Sequence, residues 1–352
     1  MLHEKNLFSF LNSVYKGKHF SIISIMKKII THIITVFVFI FIILTVIGNY
    51  FYNIAINRRT ASNLLMGHYN LKDDGGERRV MRADTDTDIV SDEGFAAEAI
   101  LNARANPSEW QVTSFDGMTL KGSCYLRPDG SDRWIVAVHG YRGDRRQVIS
   151  PALVFFDRGY NILAVDCRGH GESEGDYIGM GWHDRIDLLT WAREIIGLYP
   201  HAEIVLYGIS MGGSAVLMAS GESVPSNIRA VIADCAYTDV YSQFTYQMNT
   251  FFHLPDFPFI SAASLVCAVR ANYMFEEASA LDQVKNSKLP TLFIHGSDDE
   301  IIPVSMAYEL FEAFGGEQND LLVVRGAEHG VSYNAEPELY WGRIFEFLEG
   351  VN

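Results

Sequence analysis

Cysteine is scarce and poorly spaced for chemistry. Only Cys124, Cys167, Cys235 and Cys267 occur, none in C-x-x-C spacing, so neither a zinc site nor a redox pair is encoded. Cys167 and Cys235 lie in apolar, strand-like runs and read as small buried hydrophobes, so no structural disulfide is expected. The histidines offer no H-E-x-x-H or comparable ligand set, and no metal or organic cofactor is expected. Basic residues are few: 28 against 43 acids, for a net charge of −15. Five of those lysines and one acid precede residue 50, which leaves 23 basic and 42 acidic residues, a formal −19, on the remainder. Nucleic acid is disfavoured as a partner, and anionic surfaces are repelled. No internal repeat or low-complexity tract stands out.

Long uncharged apolar runs are absent too, with one exception. Residues 29–48, "IITHIITVFVFIFIILTVIG", carry no formal charge. Twenty residues at about 1.5 Å each make a helix of roughly 30 Å, the thickness of a bilayer's hydrocarbon core. Lys16, Lys18, Lys27 and Lys28 precede it, Arg58 and Arg59 follow at a distance, and Tyr50, Phe51 and Tyr52 sit at the far interface. This pattern predicts a single-pass membrane anchor with the N-terminus cytoplasmic and the remainder outside. A buried core helix and a cleaved signal peptide are the rivals, but no small-x-small site follows Gly48. Met26-Lys27-Lys28 reads as a natural start, which would make the first part of the basic segment 1–28 an upstream extension.

A chain of 352 residues has room for one large α/β domain plus extras or for two ordinary domains. After the anchor (29–48), residues 49–107 are polar and uneven, as expected of a juxtamembrane stalk that partly packs on the domain. The domain itself is placed at 108–352, opening with a hairpin around Asp116-Gly117. Short β-branched runs follow, "WIVAVHG", "NILAVDCRG", "EIVLYGIS", "AVIADCAY", "TLFIHGSDD" and "LLVVRGAEHG", with helical patterns between them at 182–196, 213–220 and 305–314. Alternating strand and helix predicts a mainly parallel twisted sheet with helices on both faces. One connection is abnormally long and rich in aromatics, and an insertion at about 238–280 is expected to be a helical lid.

The chemistry gathers at strand ends. "GISMGG" places Ser210 between Gly208 and Gly212, after a strand and before a helix, the context that exposes a nucleophilic serine in a sharp turn. A serine needs a base, and the base needs an orienting acid. His329 in "GAEHG" supplies the base; Asp299 in "HGSDDEIIP" is the expected acid, with Asp298 and Asp234 as alternatives. An oxyanion requires two N–H donors. Met211 provides one by position, and Tyr141, in the loop after "WIVAVHG", is expected to provide the second. His139 and His170 are expected to be structural. Phe244, Phe251 and Phe252 in the insertion are expected to line a pocket for an apolar acyl or aryl group.

Taken together, "HGYRGD", "DCRGHGESEG", "GISMGG", "HGSDDEIIP" and "GAEHG" resemble the α/β-hydrolase superfamily from about residue 110 to 350. Within it the chain is similar to bacterial membrane-anchored hydrolases related to serine aminopeptidases and monoglyceride lipases. The resemblance implies the α/β-hydrolase fold, with Ser210 as nucleophile, Asp299 as acid, His329 as base, and backbone donors at Tyr141 and Met211. The expectation is an extracytoplasmic serine esterase acting on a small-molecule ester or acyl substrate. A peptidase or acyltransferase with the same triad is the alternative, and a non-catalytic binding protein is a third reading.

Overall fold

The computed structural model describes residues 2–60 and 92–351. α1 (Leu2–Ala55) is one continuous helix, and its Ser24–Ala55 stretch is long and apolar enough to cross a membrane by length and composition. After α2 (Asp92–Arg104), the hairpin β1 (Asn106–Thr113) and β2 (Thr119–Leu126) leads into β3 (Arg133–Val138), α3 (Ile149–Asp157), β4 (Asn161–Val165) and α4 (Asp184–Leu198). β5 (Glu203–Ile209), α5 (Met211–Ser220) and β6 (Ile228–Asp234) continue the alternation. Three helices then interrupt it: α6 (Val240–Phe252), α7 (Phe259–Ala271) and α8 (Ala280–Val284). β7 (Thr291–Gly296), α9 (Ser305–Ala313), β8 (Asn319–Val324), α10 (Ser332–Ala335) and α11 (Pro337–Glu349) complete the chain.

The strands form one eight-stranded sheet in the order β1-β2-β4-β3-β5-β6-β7-β8. β2 pairs antiparallel with β1 and β4, and every other pairing is parallel. Strands β3, β4, β5 and β7 are buried almost end to end, which explains why their sequences are continuous apolar runs without alternation. One apolar layer unites the sheet with α4, α5 and the inserted helices; the other lies under α3 and α11. This is the expected α/β-hydrolase architecture, with all the parallel strands delivering their carboxyl ends to one edge.

The described residues of the expected stalk, 49–107, pack on the domain. Residues 61–91 of the expected stalk lie outside the described residues, but both flanks are built into the domain. Residues 24–43 of α1 are exposed, whereas Gly48, Tyr52, Ala55 and Ile56 are buried. The cause is a close helix crossing: a β-carbon on Gly48 would lie 2.4 Å from the Ala262 carbonyl oxygen of α7, so glycine lets the two backbones touch. Arg270 of α7 stacks over the Tyr52 ring at 4.3 Å. On the other flank, Leu101 of α2 is fully buried and its helix rests on α3.

Candidate active site

β5 ends at Ile209 and α5 begins at Met211, so Ser210 alone makes the turn between them. Its backbone takes φ 59° and ψ −119°, a conformation that L-residues rarely adopt. The neighbouring glycines make this turn sterically feasible. A β-carbon on Gly208 would lie 2.2 Å from the Gly212 carbonyl oxygen, and one on Gly212 would lie 2.3 Å from that of Val138. The Ser210 N–H donates to the Asp234 carbonyl at 2.8 Å, which fixes the turn to the end of β6.

The loops after β7 and β8 bring two more residues to this turn. His329 Nε2 lies 2.9 Å from Ser210 Oγ, and its Nδ1 lies 2.7 Å from Asp299 Oδ2. These distances fit a serine hydroxyl donating to Nε2 and an Nδ1–H donating to the carboxylate. Asp299 Oδ1 accepts the N–H groups of Ile301 and Ile302, both at 2.9 Å. Burial pushes the Asp299 carboxyl upward, but the hydrogen bonds from His295 and His329 outweigh it and hold the group well below the usual carboxylate range. Asp298 is exposed and bonded to the Ser297 hydroxyl; Asp234 is buried behind the turn and accepts from the Tyr340 hydroxyl.

Gly140 approaches Ser210 so closely that a β-carbon on it would lie 3.3 Å from the Ser210 β-carbon. The next residue, Tyr141, and Met211 at the head of α5 therefore flank the serine from two sides. Their N–H groups have no hydrogen-bond partner among the described residues. His139 and His170 are structural, as expected. His139 Nε2 accepts from the Cys167 N–H at 3.0 Å, and His170 Nε2 accepts from that of Arg142 at 3.1 Å.

A narrow cleft opens over Ser210 and His329. α6 supplies Gln243, Phe244 and Gln247 as one wall, Ile301 and Ile302 form another, and Met180 and Tyr237 close the rest with Tyr141 and Met211. Gln243 is held by a 2.8 Å bond from its Nε2 to the Ile301 carbonyl. Phe244 is thus in the cleft, but Phe252 is not: it lines an adjoining apolar chamber with Phe51, Ile54 and Ala55 of α1 and Ile260 and Ala263 of α7. Phe251 lines neither. It shares a helical face with Phe244 but lies seven residues, about 10 Å, further along the axis. The two glutamines and two isoleucines were missed in the sequence, although Gln243 and Gln247 have the i, i+4 spacing of one face.

Cys235, Asp299 and His329 bring donor atoms within 4.8 Å of one another. The set does not fit an ion, because Asp299 and His329 are engaged with each other and with Ser210, and burial raises the Cys235 thiol well above its ordinary value, keeping it protonated.

A sequence model of the prolyl oligopeptidase family matches residues 147–351. The Bacillus subtilis (strain 168) protein YqkD is 27% identical over 271 residues, covering 76% of this chain and 88% of that protein. Among solved structures, the Pyrococcus furiosus esterase Pf2001 aligns with a TM-score of 0.59 and 24% identity, over 72% of this chain and 93% of its own. The Pyrococcus horikoshii acylaminoacyl peptidase aligns with a TM-score of 0.53 and 22% identity, over 69% of this chain and 41% of its own. At such identities the likeness to the solved structures is one of fold. The family match spans more than half of the chain and takes in the serine turn and both loops that converge on it, and the chain belongs to the prolyl oligopeptidase family, within the hydrolases of α/β fold.

Proposed function

We propose that the protein is a membrane-anchored serine hydrolase that cleaves carboxylic esters with an apolar acyl or aryl group. The observation that carries this reading is the unbroken chain Ser210–His329–Asp299, at 2.9 and 2.7 Å, beneath a cleft walled largely by apolar side chains. Ser210 Oγ attacks the ester carbonyl while His329 Nε2 takes its proton. The Tyr141 and Met211 N–H groups receive the oxyanion, a contribution of about 3–4 kcal/mol per donor in comparable sites. His329 returns the proton to the leaving alcohol, and water then releases the acyl group by the same steps in reverse. α1 serves as the anchor, with the N-terminus cytoplasmic and the catalytic domain outside.

Peptide or acyl-amide cleavage by the same residues is the second reading, favoured by the family's description. The cleft supports the ester reading better, since α6 offers two neutral amides and no charge to grip a peptide. A fluorophosphonate probe should label the wild type and leave Ser210→Ala unlabelled; equal labelling would remove Ser210 as nucleophile. Turnover of p-nitrophenyl esters in preference to aminoacyl anilides is the expected sorting, and the reverse preference would move the assignment to the peptidase.

A further inference from the structure

We propose that the last turn of the apolar helix α1 positions the oxyanion loop: the Ala55 carbonyl holds the Tyr141 hydroxyl and so aims the Tyr141 N–H at the reacting carbonyl. This rests on the triad reading above and adds a role for a segment outside the hydrolase motifs.

The loop from His139 to Gly143 is fixed at nearly every point except the one that matters most. The Gly140 N–H donates to Gln147 Oε1 at 2.7 Å, the Arg142 N–H to His170 Nε2 at 3.1 Å, and the Gly143 N–H to the Gly140 carbonyl at 3.1 Å. Arg142 takes φ 58°, so the loop reverses sharply just beyond Tyr141 and a small rotation there would swing the Tyr141 N–H. No backbone bond among the described residues restrains Tyr141 itself. Its side chain is the remaining handle, and the hydroxyl donates to the Ala55 carbonyl at 2.8 Å. Burial raises that phenol above its ordinary range, so it stays a neutral donor at working pH.

The acceptor is equally well placed. Carbonyls in the last turn of a helix lack intrahelical partners and need others, and Ala55 ends α1. The residues that follow are bonded to the domain: the Ile178 N–H donates to the Ile56 carbonyl at 2.8 Å, and the Arg58 N–H to that of Asp176 at 3.0 Å. The Arg58 guanidinium donates to the carbonyls of Gly171 and Ser173, both at 2.7 Å. That loop also carries His170, which accepts from Arg142. The end of α1 and the oxyanion loop are therefore joined by two routes, and the Gly48 crossing on α7 sets where α1 lies.

The test uses the full chain in detergent micelles with p-nitrophenyl butyrate as substrate. Tyr141→Phe removes one hydroxyl and keeps the ring. Its kcat is expected to fall about tenfold, the scale of one buried neutral hydrogen bond, with KM within about twofold of wild type and the fluorophosphonate labelling rate falling in parallel. Gly48→Leu, remote from the cleft, displaces α1 on α7 and should give the same selective loss of kcat. The double variant should be no slower than the slower single one, because both changes break one linkage. Wild-type kcat in Tyr141→Phe, a loss confined to KM, or multiplicative losses in the double variant would overturn the proposal. If Ser210→Ala is inactive while Tyr141→Phe matches wild type, this inference fails and the triad stands; if Ser210→Ala is fully active, the triad reading itself has failed.

Discussion

Asp234 and Asp299 are both buried carboxylates near Ser210, yet their surroundings drive them in opposite directions. Asp299 accepts two backbone N–H groups and faces two imidazoles, so its charge is compensated despite burial. Asp234 is pushed up to about 6 by burial, with one hydroxyl donor from Tyr340 and an Oδ1 that has no partner among the described residues. A carboxyl whose folded pKa exceeds its unfolded value binds its proton more tightly when folded. Its stabilisation is complete below the unfolded value of 3.8 and disappears as pH climbs through about 6. Asp299 does the reverse: its contribution is present above the unfolded value and is lost as pH falls toward its depressed folded pKa. Asp234→Asn should therefore flatten the fall in stability between about pH 4 and 6 by on the order of 2–3 kcal/mol, read from urea melts across that range. An unchanged slope would show that Asp234 is ionised in the folded protein. The sequence placed all three candidate acids at strand ends but could only rank them by spacing. What separates them is the fold of the loop 297–302, which turns the Ile301 and Ile302 N–H groups onto Asp299 and leaves Asp298 in solvent.

At the level of elements, the strands and the serine turn were legible because their physics is local. Buried parallel strands must be continuous apolar runs, and a turn with backbone contacts as short as 2.2 Å to a would-be β-carbon must carry glycine. The insertion was legible as helical and aromatic but not in its detail, since which aromatic enters the cleft depends on where α6 crosses the sheet edge. Phe244 is the one that does, and it stands between the cleft and the apolar chamber shared with α1 and α7. Phe244→Ala should join the two spaces. The ratio of kcat/KM for a p-nitrophenyl decanoate over the acetate is expected to rise about tenfold, at a cost of about 3 kcal/mol in stability from the deleted ring. A ratio that stays at the wild-type value would show that acyl chains leave the cleft by another path.

At the scale of the whole molecule, the junction between the apolar run and the domain is where the sequence was least informative. An apolar run ending at Gly48 looks like a tether because hydropathy measures composition, and composition does not reveal that the following turns have a partner more than 200 residues away in α7. The contacts are those of a core: Tyr52, Ala55 and Ile56 are buried, Phe51 meets Phe259 with ring centroids 5.7 Å apart, and Arg270 bonds to Asn49 and Asn53. The −19 charge of the chain from residue 50 onward gives no attraction to anionic surfaces, so the contact between α1 and α7, not electrostatics, fixes where the apolar helix leaves the domain. Burial of that turn contributes on the order of 5 kcal/mol, taking about 2 kcal/mol for each large apolar side chain. A chain beginning at Thr45 should therefore keep the contacts and melt within a few degrees of the full protein. One beginning after Thr60 loses all of them and exposes the faces of α6 and α7 that they cover. It should melt about 10–20 °C lower, or precipitate on expression, by the usual scaling for a domain of this size. Thermal melts of the two chains in the same buffer decide the matter: equal midpoints would return the boundary to the far side of residue 60 and make α1 a tether after all.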